Sequence, residues 1–164
     1  MEIVLIGFMG SGKSTVSQLL GNHLDKRVVD LDQEIVNEQG QAISDIFSVH
    51  GEDYFRQLEH DLLVKWVNET GILATGGGTL LRADNAQALV KSPAKIVLLE
   101  ATGETIFNRL KNDTTRPLAN SLTKVELATL KQARQSIYNK YADLVIQTDN
   151  LTPVEVANQI IQSL

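Results

Sequence analysis

The run Gly7-Phe8-Met9-Gly10-Ser11-Gly12-Lys13-Ser14 leaves this chain few ways to fold. It has the spacing Gly-x-x-x-x-Gly-Lys-Ser, directly after the aliphatic residues Ile3-Val4-Leu5-Ile6 and before Val16, Leu19, Leu20 and Leu24 at helical spacing. A strand, a glycine-rich turn and a helix in that order aim successive backbone N–H groups at one anion, and the helix adds the positive end of its dipole. Lys13 supplies a mobile positive charge for terminal phosphates, and the Ser14 hydroxyl can hold Mg2+. The pattern is that of a phosphate-binding loop. A glycine-rich turn that merely happens to precede a lysine is the bland counterpart, and the flanking strand and helix weigh against it.

Beyond the loop, short apolar runs alternate with longer helix-periodic segments, the pattern of βαβ units around a parallel sheet. Strands are expected at Ile3–Ile6, Val28–Leu31, Ile72–Thr75, Ile96–Leu99 and Leu144–Thr148. Helices are expected at Lys13–Leu24, Gln33–Gln39, Ile43–Val49, Glu52–Glu69, Ala83–Val90, Glu104–Lys111, Lys124–Tyr141 and Pro153–Leu164. At 164 residues, with no repeat or linker, the chain is expected to form one domain, 1–164.

In open sheets of this kind ligands sit past the carboxyl ends of the strands, so the residues there bear the chemistry. After the second strand, Asp30-Leu31-Asp32 puts two carboxylates at i and i+2, which an extended backbone points to one side. One could hold the water shell of a metal ion and the other orient an acceptor hydroxyl; the plain alternative is that Asp32 caps a helix starting at Gln33. After the third strand, Gly76-Gly77-Gly78 lets backbone approach a ligand closely, although an ordinary turn would use the same residues. Arg56 and Glu59 are neighbours on one helix, either a surface ion pair or a guanidinium oriented for an anion. Arg134 falls inside the stripe Leu127, Leu130, Ile137, Tyr141, where it needs an anion, a solvated cleft or a route to solvent. The aperiodic stretch from Asp113 to Thr123 carries Arg116 before Pro117 and suits either a lid or a plain loop.

Composition narrows the partners. A net charge of -5 argues against duplex nucleic acid and anionic membrane surfaces, both of which want a basic patch. No apolar run approaches the roughly 20 residues of a bilayer span, and no leader peptide is expected at the amino terminus. Without cysteine there is no disulfide or thiolate metal site, which suits the cytoplasm. His23, His50 and His60 lack zinc-ligand spacing and read as surface or cap residues. The cations are six arginines and nine lysines, so any bound anion must be gripped locally.

These motifs together resemble the shikimate kinase family over essentially the whole chain: Gly7–Thr15, Asp30-Leu31-Asp32, Phe55-Arg56-Gln57-Leu58-Glu59, Gly76-Gly77-Gly78, Arg116-Pro117-Leu118, Arg134 with Tyr138, and Pro153. The resemblance implies an α/β, three-layer P-loop kinase fold, with a five-stranded parallel sheet flanked by helices, a substrate-binding helical region near 32–60 and a mobile lid near 112–123. It implies transfer of the γ-phosphoryl of ATP to the 3-hydroxyl of shikimate, in the route to aromatic amino acids, by a cytoplasmic monomer that uses Mg2+. By resemblance, Gly10, Ser11, Gly12, Lys13, Ser14, Thr15, Arg109, Arg116 and Pro153 bind ATP, and Ser14 and Asp30 place the metal. Asp32, Arg56, Gly76, Gly77, Gly78 and Arg134 bind shikimate, with Phe47 and Phe55 near its wall, and Lys13, Asp32 and Arg116 are catalytic. Two positions depart from the family's habit: Ala119 follows Arg116-Pro117-Leu118 where a second leucine is common, and Leu151 stands where a polar or basic residue often borders adenine.

Residue spacing alone leaves other readings open. Two arginines suit any hydroxy acid, so a kinase of gluconate or of a nucleoside monophosphate also fits, as does a non-catalytic nucleotide-binding module. A GTPase-like switch would need an Asn-Lys-x-Asp guanine reader; Asn139-Lys140-Tyr141-Ala142-Asp143 is one residue too long.

Overall fold

A computed structural model of the chain describes residues 1–111 and 122–164. The apolar runs form β1 (Ile3–Ile6), β2 (Val28–Asp30), β3 (Ile72–Ala74), β4 (Lys95–Glu100) and β5 (Leu144–Gln147), all parallel, in the order β2-β3-β1-β4-β5. The expected five parallel strands are therefore present. Helices α1 (Lys13–Leu24), α2 (Leu31–Gln39), α3 (Ile43–His50), α4 (Glu52–Val67), α5 (Ala83–Lys91), α6 (Gly103–Lys111), α7 (Lys124–Tyr141) and α8 (Pro153–Gln162) flank the sheet, with a 3-10 turn at Thr79–Leu81.

Strand alternation sorts the core into two layers. Val4 and Ile6 of β1, Leu73 of β3 and Ile96 and Leu98 of β4 face one cluster, which holds α4 through Leu63 and Trp66. Ile3, Leu5, Ile72, Val97 and Leu99 face the other, under Val16 and Leu20 of α1 and Val156 and Ile160 of α8. All four residues of β1 are buried, as a central parallel strand covered on both faces requires. β2 and β3 lie on one side of it and β4 and β5 on the other, so the strand order switches direction at β1 and its carboxyl end opens on a crevice.

Local chemistry fixes several boundaries. Gly7 takes φ +142°, and a Cβ there would lie 2.5 Å from the Leu99 carbonyl oxygen, so the first loop glycine is required by space as well as conformation. Thr123 with Glu126 and Thr152 with Glu155 form capping boxes that start α7 and α8, the latter with Pro153 in the first turn. The second strand departs from expectation. It stops at Asp30, whose side chain accepts from the backbone N–H groups of Asp32 (3.1 Å) and Gln33 (3.3 Å), so helix α2 begins at Leu31. The cap is Asp30, not Asp32, and the two carboxylates are not carried on one extended strand. A carboxylate that satisfies two orphan N–H donors wins over one more residue of strand. The expected ends of α4 at Glu69 and α8 at Leu164 likewise retreat to Val67 and Gln162.

The side chain of Leu63 is fully buried, at 0% exposure. Leu63→Ala should cost about 2–5 kcal/mol of unfolding free energy. A thermal melt checks this, with a fall in Tm of roughly 2–4 °C per kcal/mol for a chain this long.

Candidate functional site

At the carboxyl edge of the sheet the loop between β1 and α1 borders a cleft of about 480 Å³. Gly10, Ser11, Gly12, Lys13, Ser14 and Thr15 line its inner end, and Arg109 and Pro153 its outer end with Thr148 and Leu151. Gly12 is the N-cap of α1 at φ +101°, so the N–H groups of the first turn point into the cleft with no side chain in the way. Lys13 folds back over the loop, and its Nζ donates to the carbonyls of Gly7 and Phe8, each at 2.9 Å. Arg109, on α6, spans from the loop to the end of β5. Its Nη1 donates to Gly10 O (3.3 Å) and Thr148 Oγ1 (3.1 Å), and its Nη2 to Thr148 O (2.9 Å). With that donor edge occupied, Arg109 offers a ligand its charge and its flat face.

A second cleft, about 530 Å³, lies between α2, α4 and the glycine triplet. Asp32, Arg56, Gly76, Gly77, Gly78 and Arg134 all line it. Arg56 and Glu59 are not a surface pair: Glu59 is 0% exposed, and Arg56 Nη1 donates to its Oε2 at 2.8 Å. Burial alone would lower the Arg56 pKa, but the Glu59 and Glu52 carboxylates together outweigh it and hold the guanidinium above its ordinary value. Arg134 does not run out to solvent. Its guanidinium stands 5.6 Å from the centre of the Phe8 ring, and Nη1 donates to Gly77 O at 3.3 Å. Phe55 supplies apolar wall, with Phe47 packed behind it at a ring separation of 4.7 Å.

The glycine triplet is explained by what surrounds it. A Cβ on Gly76 would lie 2.6 Å from Glu59 Oε1 and 2.9 Å from Asp32 Oδ1; one on Gly78 would lie 2.5 Å from Arg56 Nη2. On Gly77 it would sit 3.1 Å from the Met9 backbone nitrogen, in the phosphate loop itself. The triplet is thus a strip of bare backbone pressed between both clefts.

Ser14, Asp32 and Gly77 line both clefts, so the two open into one another. At the same junction Ser14 Oγ donates to Asp30 Oδ2 at 2.5 Å. Arg116 and the rest of the expected lid between 112 and 121 fall outside the described residues.

Several residues that were assigned no role from the sequence also shape the site. Tyr138 donates to Gly77 O at 2.5 Å, and burial pushes its hydroxyl pKa up to about 12 against the pull of Arg134, so it stays a donor. One turn before Arg134, Lys131 pairs with Glu100 at the end of β4, and Gln135 Nε2 donates to the other Glu100 oxygen at 2.6 Å. Only the i, i+4 and i+7 spacing of Lys131, Gln135 and Tyr138 hinted that one face of α7 is polar and inward. His60, expected at the surface or at a cap, is half-buried and meets buried Asn85 at 2.6 Å.

Two anion-sized clefts that share a floor across Ser14, Asp32 and Gly77 are the layout of a P-loop phosphotransferase acting on a small molecule. The family model described as "Shikimate kinase" matches residues 9–164, and the chain belongs to the shikimate kinase family. It is 46% identical to a shikimate kinase of Limosilactobacillus fermentum, over 100% of this chain and 95% of that protein. It is 40% identical to one of Enterococcus faecalis, over 99% and 98%. Among solved structures, shikimate kinase from Acinetobacter baumannii in complex with shikimate superimposes with a TM-score of 0.92 at 32% identity, covering 99% of this chain and 91% of that one.

Gly78→Ala tests the geometry of the strip. Gly78 has an ordinary backbone conformation (φ -106°), so the variant meets no backbone strain and should still fold, with a Tm lowered by the loosened Arg56–Glu59 pair. The added methyl displaces the Arg56 guanidinium, and the KM for shikimate should rise about tenfold, read from initial rates at saturating ATP.

Proposed function

We propose that the chain transfers the γ-phosphoryl of ATP to the 3-hydroxyl of shikimate through the junction of its two clefts. The observation that carries this is the shared lining at Ser14, Asp32 and Gly77, where a phosphate seated on the loop and a hydroxyl in the second cleft come together. The backbone of Gly10–Thr15 and Lys13 bind the phosphates, and Arg109 and Pro153 hold the base between them. Arg56 and Arg134 take the acid's carboxylate, and the backbone of Gly76, Gly77 and Gly78 lets the ring approach without a clash. Asp32, at the junction, accepts the hydroxyl proton as the hydroxyl oxygen bonds to the γ-phosphorus and the bond from that phosphorus to the β,γ-bridging oxygen breaks, releasing ADP. Arg116 adds positive charge to the transferring group.

Ser14 Oγ and Asp30 Oδ2, 2.5 Å apart, are hard oxygen donors of the kind Mg2+ takes, and they fit such an ion. Held there, Mg2+ would neutralise charge on the phosphates. Among the described residues no helix is long and apolar enough to cross a membrane. A cytoplasmic monomer is the simplest setting for this chemistry, and the lack of cysteine suits a reducing compartment.

An ADP-release assay run in parallel with shikimate, gluconate, AMP and no acceptor should give turnover with shikimate alone; equal rates with gluconate would overturn the assignment. Arg134→Ala should raise the KM for shikimate about 10- to 100-fold and leave ATP binding intact, and an unchanged KM would remove Arg134 from the clamp. For Asp32→Asn, ATP affinity should persist while kcat falls by about 100-fold or more. Near-normal turnover would leave Asp32 only an orienting role.

A further inference from the structure

Behind Arg56 the polar groups continue into the protein and close on themselves. The two oxygens of buried Glu59 are divided, Oε2 accepting from Arg56 and Oε1 from Thr79 Oγ1 at 2.5 Å. Thr79 is itself fully buried, and its carbonyl accepts from Asn85 Nδ2 at 2.9 Å. Asn85, in the first turn of α5, is 0% exposed, and its Oδ1 faces His60 Nδ1 at 2.6 Å. With the amide nitrogen committed to Thr79, the oxygen must accept, so His60 carries a proton on Nδ1. His60 follows Glu59 on α4, so the ring returns to the helix it left.

A buried asparagine is an expensive way to fill a position on a helix whose other buried residues are Ala86 and Leu89, where an aliphatic side chain would need no partners. We propose that Asn85 and Thr79 are positioning residues for acid binding: they lock the Thr79–Leu81 turn, hold the Glu59 carboxylate in one orientation, and through it aim the Arg56 guanidinium into the second cleft. The inference rests on Arg56 being part of the acid clamp. It extends the site from α4 and the glycine strip to α5, a helix that lines neither cleft.

The test compares shikimate with its uncharged methyl ester. Dissociation constants are measured by titration calorimetry for Asn85→Ala, for the near-isosteric Thr79→Val, and for each of these combined with Arg56→Ala, all at temperatures where melts show the proteins folded. Asn85→Ala and Thr79→Val should each weaken shikimate about tenfold while leaving the ester within about twofold, and in the Arg56→Ala background they should have no further effect. Equal losses for acid and ester, or a loss that persists without Arg56, would reduce both residues to support of the fold and overturn the proposal. Should Asn85→Ala not fold, Thr79→Val decides by the same criteria. If Arg56→Ala alone binds shikimate as well as the unaltered chain, it is the clamp reading that fails, and this inference falls with it.

Discussion

The backbone of Gly76, Gly77 and Gly78 is the contact on which both clefts depend. It runs where three side chains, those of Glu59, Asp32 and Arg56, approach closer than a Cβ would allow, and where the phosphate loop at Met9 leaves little room for one. Its central carbonyl also receives the hydroxyl of Tyr138 and the guanidinium of Arg134, so α7 is docked onto the same strip. A side chain anywhere along it would separate the cations from the loop. The floor shared by the clefts exists because this backbone is bare.

The second constraint is electrostatic. The chain carries a net charge of -5, yet the donor it is proposed to bind is a polyanion and the acceptor a carboxylate. Two like charges 4 Å apart in a partly screened site repel by about 4 kcal/mol. Local cations must cancel that, and they must be held so that little is lost in ordering them on binding. The structure holds Arg56 with a buried carboxylate, Arg109 with four backbone and side-chain oxygens and Arg134 against an aromatic ring and a carbonyl. Each restraint leaves a guanidinium with fewer orientations to lose. Glu59 is tolerated at 0% exposure because Arg56 and Thr79 satisfy both its oxygens.

Much of this was written in local patterns. The loop spacing and the aliphatic run before it located β1 and α1 to the residue, since glycine conformations and strand burial are local demands. Arg134 was visible as a residue out of keeping with its apolar stripe, whereas Arg56 and the glycine triplet fitted an ordinary ion pair and an ordinary turn equally well. The turn after β2 was misread because two local preferences competed, strand continuation and helix capping, and the winner was set by Asp30 finding both backbone donors and Ser14. The ring through Glu59, Thr79, Asn85 and His60 left no trace at all, because it joins residues 20 and 25 apart in pairs that no periodicity relates.

Sequence by itself determined the alternating elements, the phosphate loop, the scarcity of cations and, through the whole series of motifs, the family. Those depend on chain stiffness, periodicity and residue chemistry over a few neighbours. Only tertiary structure decided that Glu59 would be buried rather than exposed, that Arg134 would turn inward to Gly77, and that the two clefts would meet. Burial and meeting depend on strand order and helix docking, which bring together residues such as Phe8, Gly77 and Arg134 that no local rule connects.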